Sequence, residues 1–218
     1  RTSLAHRLTR AGGAPLTLRN FGDMLRYPPL SSANYIRNRK AFTGAMASGG
    51  LALFSSNDTY PTGADGTLPF RQDSNMLHLT GVDQEETVLL LFPSAHNVAD
   101  REILFVTETN AEIAIWEGAK LTKAQATSQT GIQNIQWVAT LERTLQRLVT
   151  ESKCCYLHQN EHTRANVVVE TREARFNSWF TETHPHVRIE RSAPILHRTR
   201  SIKSEEEIER MRHACGIT

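Results

Sequence analysis

Cysteine is scarce in this chain. Its 218 residues include only three, at positions 154, 155 and 215, and none has the Cys-x-x-Cys spacing of a redox or metal motif. Because neighbouring cysteines cannot usefully pair with each other, the pattern argues against a disulfide-stapled domain. It favours reduced thiols in a reducing compartment.

Long apolar runs and a strong charge of either sign are lacking too. No run approaches the roughly 20 apolar residues that cross a bilayer, so no membrane partner is expected. The formal net charge of +2 is too small to indicate nucleic-acid binding. With 39% hydrophobic and 22% charged residues, the chain has the composition of a globular domain with its own core.

Acidic residues are absent before Asp23, whereas the same stretch carries Arg1, Arg7, Arg10 and Arg19. This composition is typical of a mitochondrial transit peptide, and a plain basic tail would share it. We therefore expect residues 1–30 to be a basic N-terminal extension, either a targeting remnant or a tail. The expected location is mitochondrial, with a cytoplasmic location as the alternative.

Hydrophobic patterns predict alternating strands and helices between residues 31 and 195. The expected helices begin at Ser31 or Ser32 and run to about Ser48, and then cover residues 122–129, 141–151 and 164–180. The expected strands cover residues 51–55, 76–79, 87–92, 103–106, 135–138, 154–157 and 187–189. Such interleaving predicts an α/β fold with a mixed β-sheet flanked by helices.

Residues 203–218 carry the signature of a helix N-terminus. Ser204 and Glu207 have the spacing of a capping box, and Ile208, Met211 and Cys215 share one face of the helix that follows. An amphipathic helix buries its apolar face against a partner. We expect a linker at 193–202, and we assign residues 196–218 to the linker and first helix of a further domain, absent from this chain.

Three ordered stretches are similar to one known family. Residues 64–81 contain Asp65, Pro69, Phe70, Arg71, Gln72, Ser74, Thr80 and Gly81 in order, residues 111–118 read AEIAIWEG, and residues 200–218 read RSIKSEEEIERMRHACGIT. Together they resemble aminopeptidase P, the Xaa-Pro aminopeptidases of the creatinase or pita-bread metallopeptidase group. The resemblance assigns residues 31–195 to the N-terminal domain of such an enzyme.

The resemblance implies an activity that this chain would share only as part of an intact enzyme. The family removes an N-terminal residue that precedes proline, using two divalent metal ions, usually manganese, to activate a bridging water. All the metal ligands belong to the catalytic domain, so none is expected in this chain, which alone should be inactive. A homo-oligomer, dimer or tetramer, is expected. The alternative is a non-catalytic docking module built on the same fold.

Three residues are candidates for substrate binding. Trp116 offers a flat apolar wall for a proline ring, and in resembling enzymes the matching Trp borders a neighbouring subunit's cleft; otherwise it is an edge-of-core residue. Asp65 could pair with a cation in the cleft or simply cap its own turn. Arg71 could contact substrate, or could brace its loop through carbonyl groups.

Residues 158–162, HQNEH, spell the inverted zinc-peptidase motif His-x-x-Glu-His. That motif binds zinc only on a helix, where both imidazoles share a face. Here it follows a predicted strand directly, so a polar loop is the favoured interpretation.

Overall fold

The computed structural model describes residues 29–162 and 168–217. Most of the basic extension predicted over residues 1–30, namely residues 1–28, lies outside the described residues, as does the start of the helix predicted over residues 164–180. Within them, no helix is long and apolar enough to cross a bilayer.

Among the described residues, a six-stranded mixed sheet forms the centre of the fold. Its strands are β1 (Gly50–Ser55), β4 (Val88–Leu91), β5 (Glu102–Val106), β6 (Asn134–Trp137), β7 (Cys154–Leu157) and β8 (Ile189–Arg191), and a separate hairpin is formed by β2 (Pro61–Gly63) and β3 (Gly66–Thr67). The order across the sheet is β6-β5-β4-β1-β7-β8. Only β4 runs against the others, because it pairs antiparallel with β1 and β5, whereas the β5–β6, β1–β7 and β7–β8 pairs are parallel.

Helices connect these strands. They are α1 (Ser32–Thr43), α2 (Ser74–Thr80), α3 (Ile113–Glu117), α4 (Lys123–Thr130), α5 (Leu141–Val149), α6 (Arg172–Thr183), α7 (Ala193–Ser201) and α8 (Glu205–Cys215), with 3₁₀ turns at Val98–Asp100 and Val138–Thr140. The predicted α/β class, with a mixed sheet flanked by helices, is confirmed.

The sheet separates two hydrophobic cores, because successive side chains of a strand point to opposite faces. One core lies under α1, α2, α4 and α7 and includes Phe42, Phe54 and Leu79. The other lies under α5 and α6 and includes Leu145 and Phe180. All four residues of β4 and of β7 are buried, which explains their uninterrupted apolar or cysteine-rich sequences.

The strand predicted at residues 76–79 is wrong, since this segment is helix α2. The Asp73 carboxylate accepts hydrogen bonds from the backbone amides of Asn75 and Met76, and Gly81 ends the helix in the left-handed conformation, at φ 71°. With both ends capped, Met76 and Leu79 reach the core at helical spacing.

Residues 193–202, predicted as a linker, are mostly helical, because Ala193–Ser201 forms helix α7. Pro194 lies in its first turn, where the missing amide proton would have no intrahelical partner. Ile195 and Leu196 bury the apolar face, and the basic residues lie on the remaining surface. The helix therefore depends on tertiary packing. The predicted domain boundary at 195/196 lies inside it.

Helix α8 has the predicted capping box, with the Ser204 hydroxyl accepting from the Glu207 amide and the Glu207 carboxylate accepting from the Ser204 amide. Polar contacts hold it to α1: Ser31 donates through its amide to Glu206 at 2.6 Å, and the Arg37 guanidinium lies 3.2 Å from Glu207. No residue of α8 is buried, and Met211 is 53% exposed.

Candidate functional site

A cleft of about 1240 Å³ opens at the carboxyl ends of β1, β7 and β8. These three strands are parallel, so their carboxyl ends share one edge of the sheet. The cleft is lined by the segments that leave this edge, including Asn57 after β1, His158 after β7 and Ala193 after β8.

The chain leaves β1 and β7 towards opposite faces of the sheet. The segment after β1 leads to α2, whose Met76 and Leu79 join one core, while the segment after β7 leads to α6, whose Phe180 joins the other. Adjacent parallel strands whose connections diverge in this way form a topological switch point. The crevice that results is where open α/β sheets bind their ligands.

His158 lies at the floor of this cleft and is 7% exposed. Its Nε2 lies 3.4 Å from Oδ2 of Asp73 and 3.2 Å from Nδ2 of Asn75, while its ring packs against Phe54 with centroids 5.8 Å apart. Asn177 of α6 donates to the His158 carbonyl at 2.9 Å. His158 is therefore held from both faces of the sheet, through its ring on one side and its backbone carbonyl on the other.

Burial by itself would lower the pKa of His158. The hydrogen bond to Asp73 and the negative charges of Asp73 and Glu173 outweigh burial, and they raise the pKa of His158 above its usual value. For Asp73, burial favours the neutral acid, but the contact with His158 and two backbone amides outweighs it and lowers the pKa of the carboxyl. The pair therefore favours imidazolium facing carboxylate.

Three arginines line the same cleft, Arg71, Arg172 and Arg200. Among residues 29–162 and 168–217, none of the three forms an ion pair with a carboxylate. The Arg200 side chain instead donates to Ser74 at 3.3 Å and to Asn75. The cleft thus presents positive charge that the described part of the protein does not neutralise by direct pairing.

Of the predicted substrate-binding residues, Arg71 is the one that lines this cleft. Its side chain is exposed, and its carbonyl accepts from Asn57 at 3.0 Å. Gln72 braces the loop, since its side-chain amide donates to the carbonyls of Val82 and Gln84 at 3.0 Å.

Asp65 and Trp116 lie elsewhere. Asp65 is exposed in the turn of the β2–β3 hairpin, beside Ala64, which has a φ of 47°. The backbone of Trp116 belongs to the short helix α3, which Gly118 follows at a φ of 79°. The structure does not bring Asp65 into the cleft with Arg71, and the roles of all three residues stay predictions.

The His-x-x-Glu-His segment forms a loop, as predicted. His158 turns to Asp73, whereas the Glu161 carboxylate accepts from Nε of Arg191 at 3.0 Å. Within the described ranges, no group of three His, Cys, Asp or Glu side chains is placed to hold a metal ion. The side chains described here therefore do not fit the two metal ions that the family resemblance implies.

Sequence reasoning missed the Asp73–His158 pair. Asp73 precedes a segment that ends at Gly81, and this Asp-to-Gly interval is a helix start and stop signal that could have revealed the N-cap. His158 follows a buried strand directly, a position at the sheet edge where ligands bind. Their proximity could not be predicted, because it depends on β7 pairing with β1.

Curated relatives align with this sequence over most of its length. The Xaa-Pro aminopeptidase of Escherichia coli (strain K12) is 29% identical over 193 residues, covering 87% of this chain and 43% of that protein. Xaa-Pro aminopeptidase 3 of Homo sapiens is 24% identical over 203 residues, covering 88% of this chain and 39% of that protein. The chain thus spans less than half the length of these relatives.

Solved structures share the fold. Aminopeptidase P from E. coli with the inhibitor Pro-Leu superposes with a TM-score of 0.70 at 26% identity, covering 88% of this chain and 43% of that one. Pseudomonas aeruginosa aminopeptidase PepP has a TM-score of 0.73 at 22% identity, covering 87% and 42%.

Residues 35–157 match the family model of the aminopeptidase P N-terminal domain. This match covers more than half of the chain and includes every strand of the central sheet except β8. The chain therefore belongs to the aminopeptidase P family.

Proposed function

We propose that this chain is the N-terminal oligomerisation and substrate-gating domain of a dinuclear-metal Xaa-Pro aminopeptidase. The observation that carries the proposal is the match of residues 35–157 to the aminopeptidase P N-terminal domain, supported by relatives that are named Xaa-Pro aminopeptidases. The activity would be removal of an N-terminal residue that precedes proline.

We place the metal ligands, and two divalent ions with manganese as the expected metal, in a part of the intact enzyme beyond Thr218. The length of the relative supports this placement, because this chain spans 43% of the E. coli protein. The expected partner is a peptide with proline at its second position.

Within this domain we assign substrate contacts to Trp116, Asp65 and Arg71. Proline has no amide proton and offers a compact ring, so recognition requires an apolar wall, which Trp116 would supply. Asp65 is exposed on a hairpin turn, where its carboxylate could meet the free amino group of a peptide bound between subunits. Arg71 is exposed beside the cleft and could receive a carbonyl or carboxylate.

The decisive experiment uses the purified intact enzyme and two tripeptides that differ only in proline or alanine at the second position. We expect metal-dependent cleavage of the proline peptide, loss of activity with a chelator and recovery with Mn²⁺. The isolated 218-residue chain should cleave neither peptide. An intact protein that cleaves neither would favour the alternative, a non-catalytic docking module.

The role of Trp116 is tested in the intact enzyme by Trp116→Ala. The expected result is a higher KM for short Xaa-Pro peptides with unchanged metal content. Ile115→Ala is the matched control, since Ile115 is the adjacent residue on α3 and is 75% exposed. An unchanged KM in Trp116→Ala would remove this residue from the site.

Oligomerisation and mitochondrial location are separate proposals. Light scattering of the intact enzyme should give the mass of a dimer or tetramer, and a monomer would contradict gating between subunits.

Residues 1–30 fused to a fluorescent protein should direct it to mitochondria; a diffuse cytoplasmic signal would support the alternative location.

A further inference from the structure

The cleft at the carboxyl ends of β1, β7 and β8 has a charge pattern that points to a ligand. The cleft is lined by five acidic residues and three arginines: Asp58, Asp73, Glu161, Glu170 and Glu173, and Arg71, Arg172 and Arg200. The acidic residues outnumber the arginines, but most of the carboxylates are paired with other protein groups, whereas the arginines have no carboxylate partner among the described residues.

Two of the carboxylates are neutralised by arginines that do not line the cleft. Asp58 lies 2.6 Å from Nη2 of Arg175 and also accepts from the Arg172 amide at 2.8 Å. Glu161 pairs with Arg191. The two ion pairs stabilise the walls, and the paired arginines offset the negative charge of Asp58 and Glu161 that a ligand would otherwise meet.

Two more carboxylates face the buried imidazole. Asp73 caps α2 and lies 3.4 Å from His158, while Glu173 lies 3.6 Å from His158 and accepts from the Asn160 amide at 2.9 Å. Glu170 is exposed at the rim and is the one cleft carboxylate without a side-chain partner in the described part of the chain. The acids are thus mostly committed to protein contacts.

The three arginines of the cleft, by contrast, form no ion pair with a carboxylate among the described residues. Arg172 uses its backbone amide to bind Asp58, but its side chain forms no hydrogen bond with any described residue, and the same holds for the Arg71 side chain. The Arg200 guanidinium donates to the neutral side chains of Ser74 and Asn75, and it pairs with no carboxylate among the described residues. Arginines that line a recess without a carboxylate partner are suited to binding carboxylate and phosphate oxygens.

The size of the recess distinguishes a peptide from a single small anion. Its volume of about 1240 Å³ exceeds the range of roughly 300–1,000 Å³ that is usual for small-molecule sites. Amides and hydroxyls also line it, among them those of Asn57, Gln159, Asn177 and Ser178. Such groups can bind the backbone of an extended segment, while arginine clusters select acidic side chains.

We propose that this cleft binds a short peptide segment with acidic side chains, whose carboxylates pair with Arg172 and Arg200. Asn177 and Asn57 lie along the same walls and would bind peptide carbonyl or amide groups. His158 and Asp73 form the polar floor that keeps the recess in shape. The inference concerns the described residues only and does not depend on peptidase activity.

The test is isothermal titration calorimetry of the 218-residue chain with an unlabelled peptide of alternating Glu and Asp residues flanked by Gly. The same peptide with Gln and Asn in place of the acids is the neutral probe, and inorganic phosphate is the small-anion probe. We expect the acidic peptide to bind, binding to weaken at high salt, and the other two probes to bind much more weakly.

Two variants test whether the acidic peptide binds in this cleft. Arg172→Gln and Arg200→Gln should each weaken binding of the acidic peptide about five- to tenfold, because each removes a charge-assisted contact. Arg172→Gln keeps the result interpretable if Arg200→Gln perturbs α2. Arg143→Gln is the matched control, an exposed arginine of α5 that does not line the cleft, and it should bind as the wild type does.

Several outcomes would overturn the proposal. They are absence of binding, equal binding of the neutral peptide, phosphate binding as tightly as the acidic peptide, and equal losses in Arg143→Gln and Arg172→Gln. The first two remove acidic peptides as the ligand. Tight phosphate binding indicates a site for a lone anion, and equal losses indicate a general charge effect.

Discussion

Asp73 and His158 are 85 residues apart in the chain, yet Oδ2 of Asp73 lies 3.4 Å from Nε2 of His158 at the floor of the cleft. Asp73 is also the N-cap of α2, and His158 is the first residue after β7. The pair therefore connects a helix on one side of the cleft with a strand of the central sheet, and its ionisation bears on the stability of the domain.

Asp73→Asn separates the charge of Asp73 from its capping role, because asparagine caps helices as well as aspartate does. The raised pKa of His158 stabilises the fold below pH 6.5, and that stabilisation is lost as pH rises through the raised value. The lowered pKa of Asp73 stabilises it above pH 3.8, and this is lost as pH falls through the lowered value. The free energy of unfolding of the wild type should therefore exceed that of Asp73→Asn by the largest amount between pH 3.8 and pH 6.5.

Urea unfolding across this pH range measures the difference, and NMR titration of the His158 ring should show its pKa falling in Asp73→Asn. Asp83→Asn is the control, because Asp83 does not line the cleft. An unchanged His158 titration would show that Asp73 does not set the imidazole charge.

His78 should have the opposite pH effect. Burial, followed by the positive charge of Arg200, lowers the pKa of His78 to about 4, and the nearby Glu207 offsets this only in part. The folded state therefore resists protonation, so stability present above pH 6.5 is lost as pH falls towards 4. The loss is about 3 kcal/mol, at roughly 1.36 kcal/mol per pKa unit.

His78→Gln should remove this loss, so the unfolding free energy of the variant should depend less on pH between 4 and 6.5 than that of the wild type. The glutamine amide can keep a contact with Asn38, whose Nδ2 lies 3.2 Å from Nδ1 of His78. Identical slopes for variant and wild type would contradict the prediction.

Arg39 is fully buried and binds the ends of two helices. Its Nη1 donates to the Leu79 carbonyl at 2.9 Å and its Nη2 to the Thr130 carbonyl at 3.0 Å, while Nε lies 3.1 Å from Glu102. Arg39→Met should lower the free energy of unfolding by about 3 kcal/mol, because two buried carbonyls and a carboxylate lose their partner. Chemical denaturation measures it.

The control for Arg39 is Arg143→Met, which removes an exposed arginine from α5 and should change stability by less than about 0.5 kcal/mol. Equal small effects of the two substitutions would show that the buried hydrogen bonds contribute nothing net.

Gly81 ends α2 at a φ of 71°, and a Cβ there would overlap the Tyr35 ring. Gly131 ends α4 in the same left-handed conformation, at a φ of 77°, but a Cβ there would approach the end of the Ile36 side chain, which is 44% exposed and can move aside. Gly81→Ala should therefore destabilise by about 3 kcal/mol, and Gly131→Ala by about 1 kcal/mol, mostly from backbone strain. Thermal unfolding compares them, and equal losses would argue against the steric contribution.

The local sequence was enough to predict the elements whose determining residues are close together in the chain. The apolar run of β4 predicts a strand buried on both faces, and all its residues are buried. Ser204 and Glu207 predict the start of α8 because a capping box involves only four consecutive residues. The predicted α/β class follows from the same alternation of patterns.

The helix at residues 76–79 also has a local signal, the Asp73 cap, which the sequence prediction missed. Tertiary structure alone decided the other features. Residues 193–202 resemble a basic linker, and it is the burial of Ile195 and Leu196 in the core that stabilises a helix there. The cleft exists because β7 pairs beside β1 while their connections leave to opposite faces. Periodicity reports which side of an element is apolar, but it carries no information about which distant element will cover that side, and the meeting of Asp73 with His158 depends on that choice.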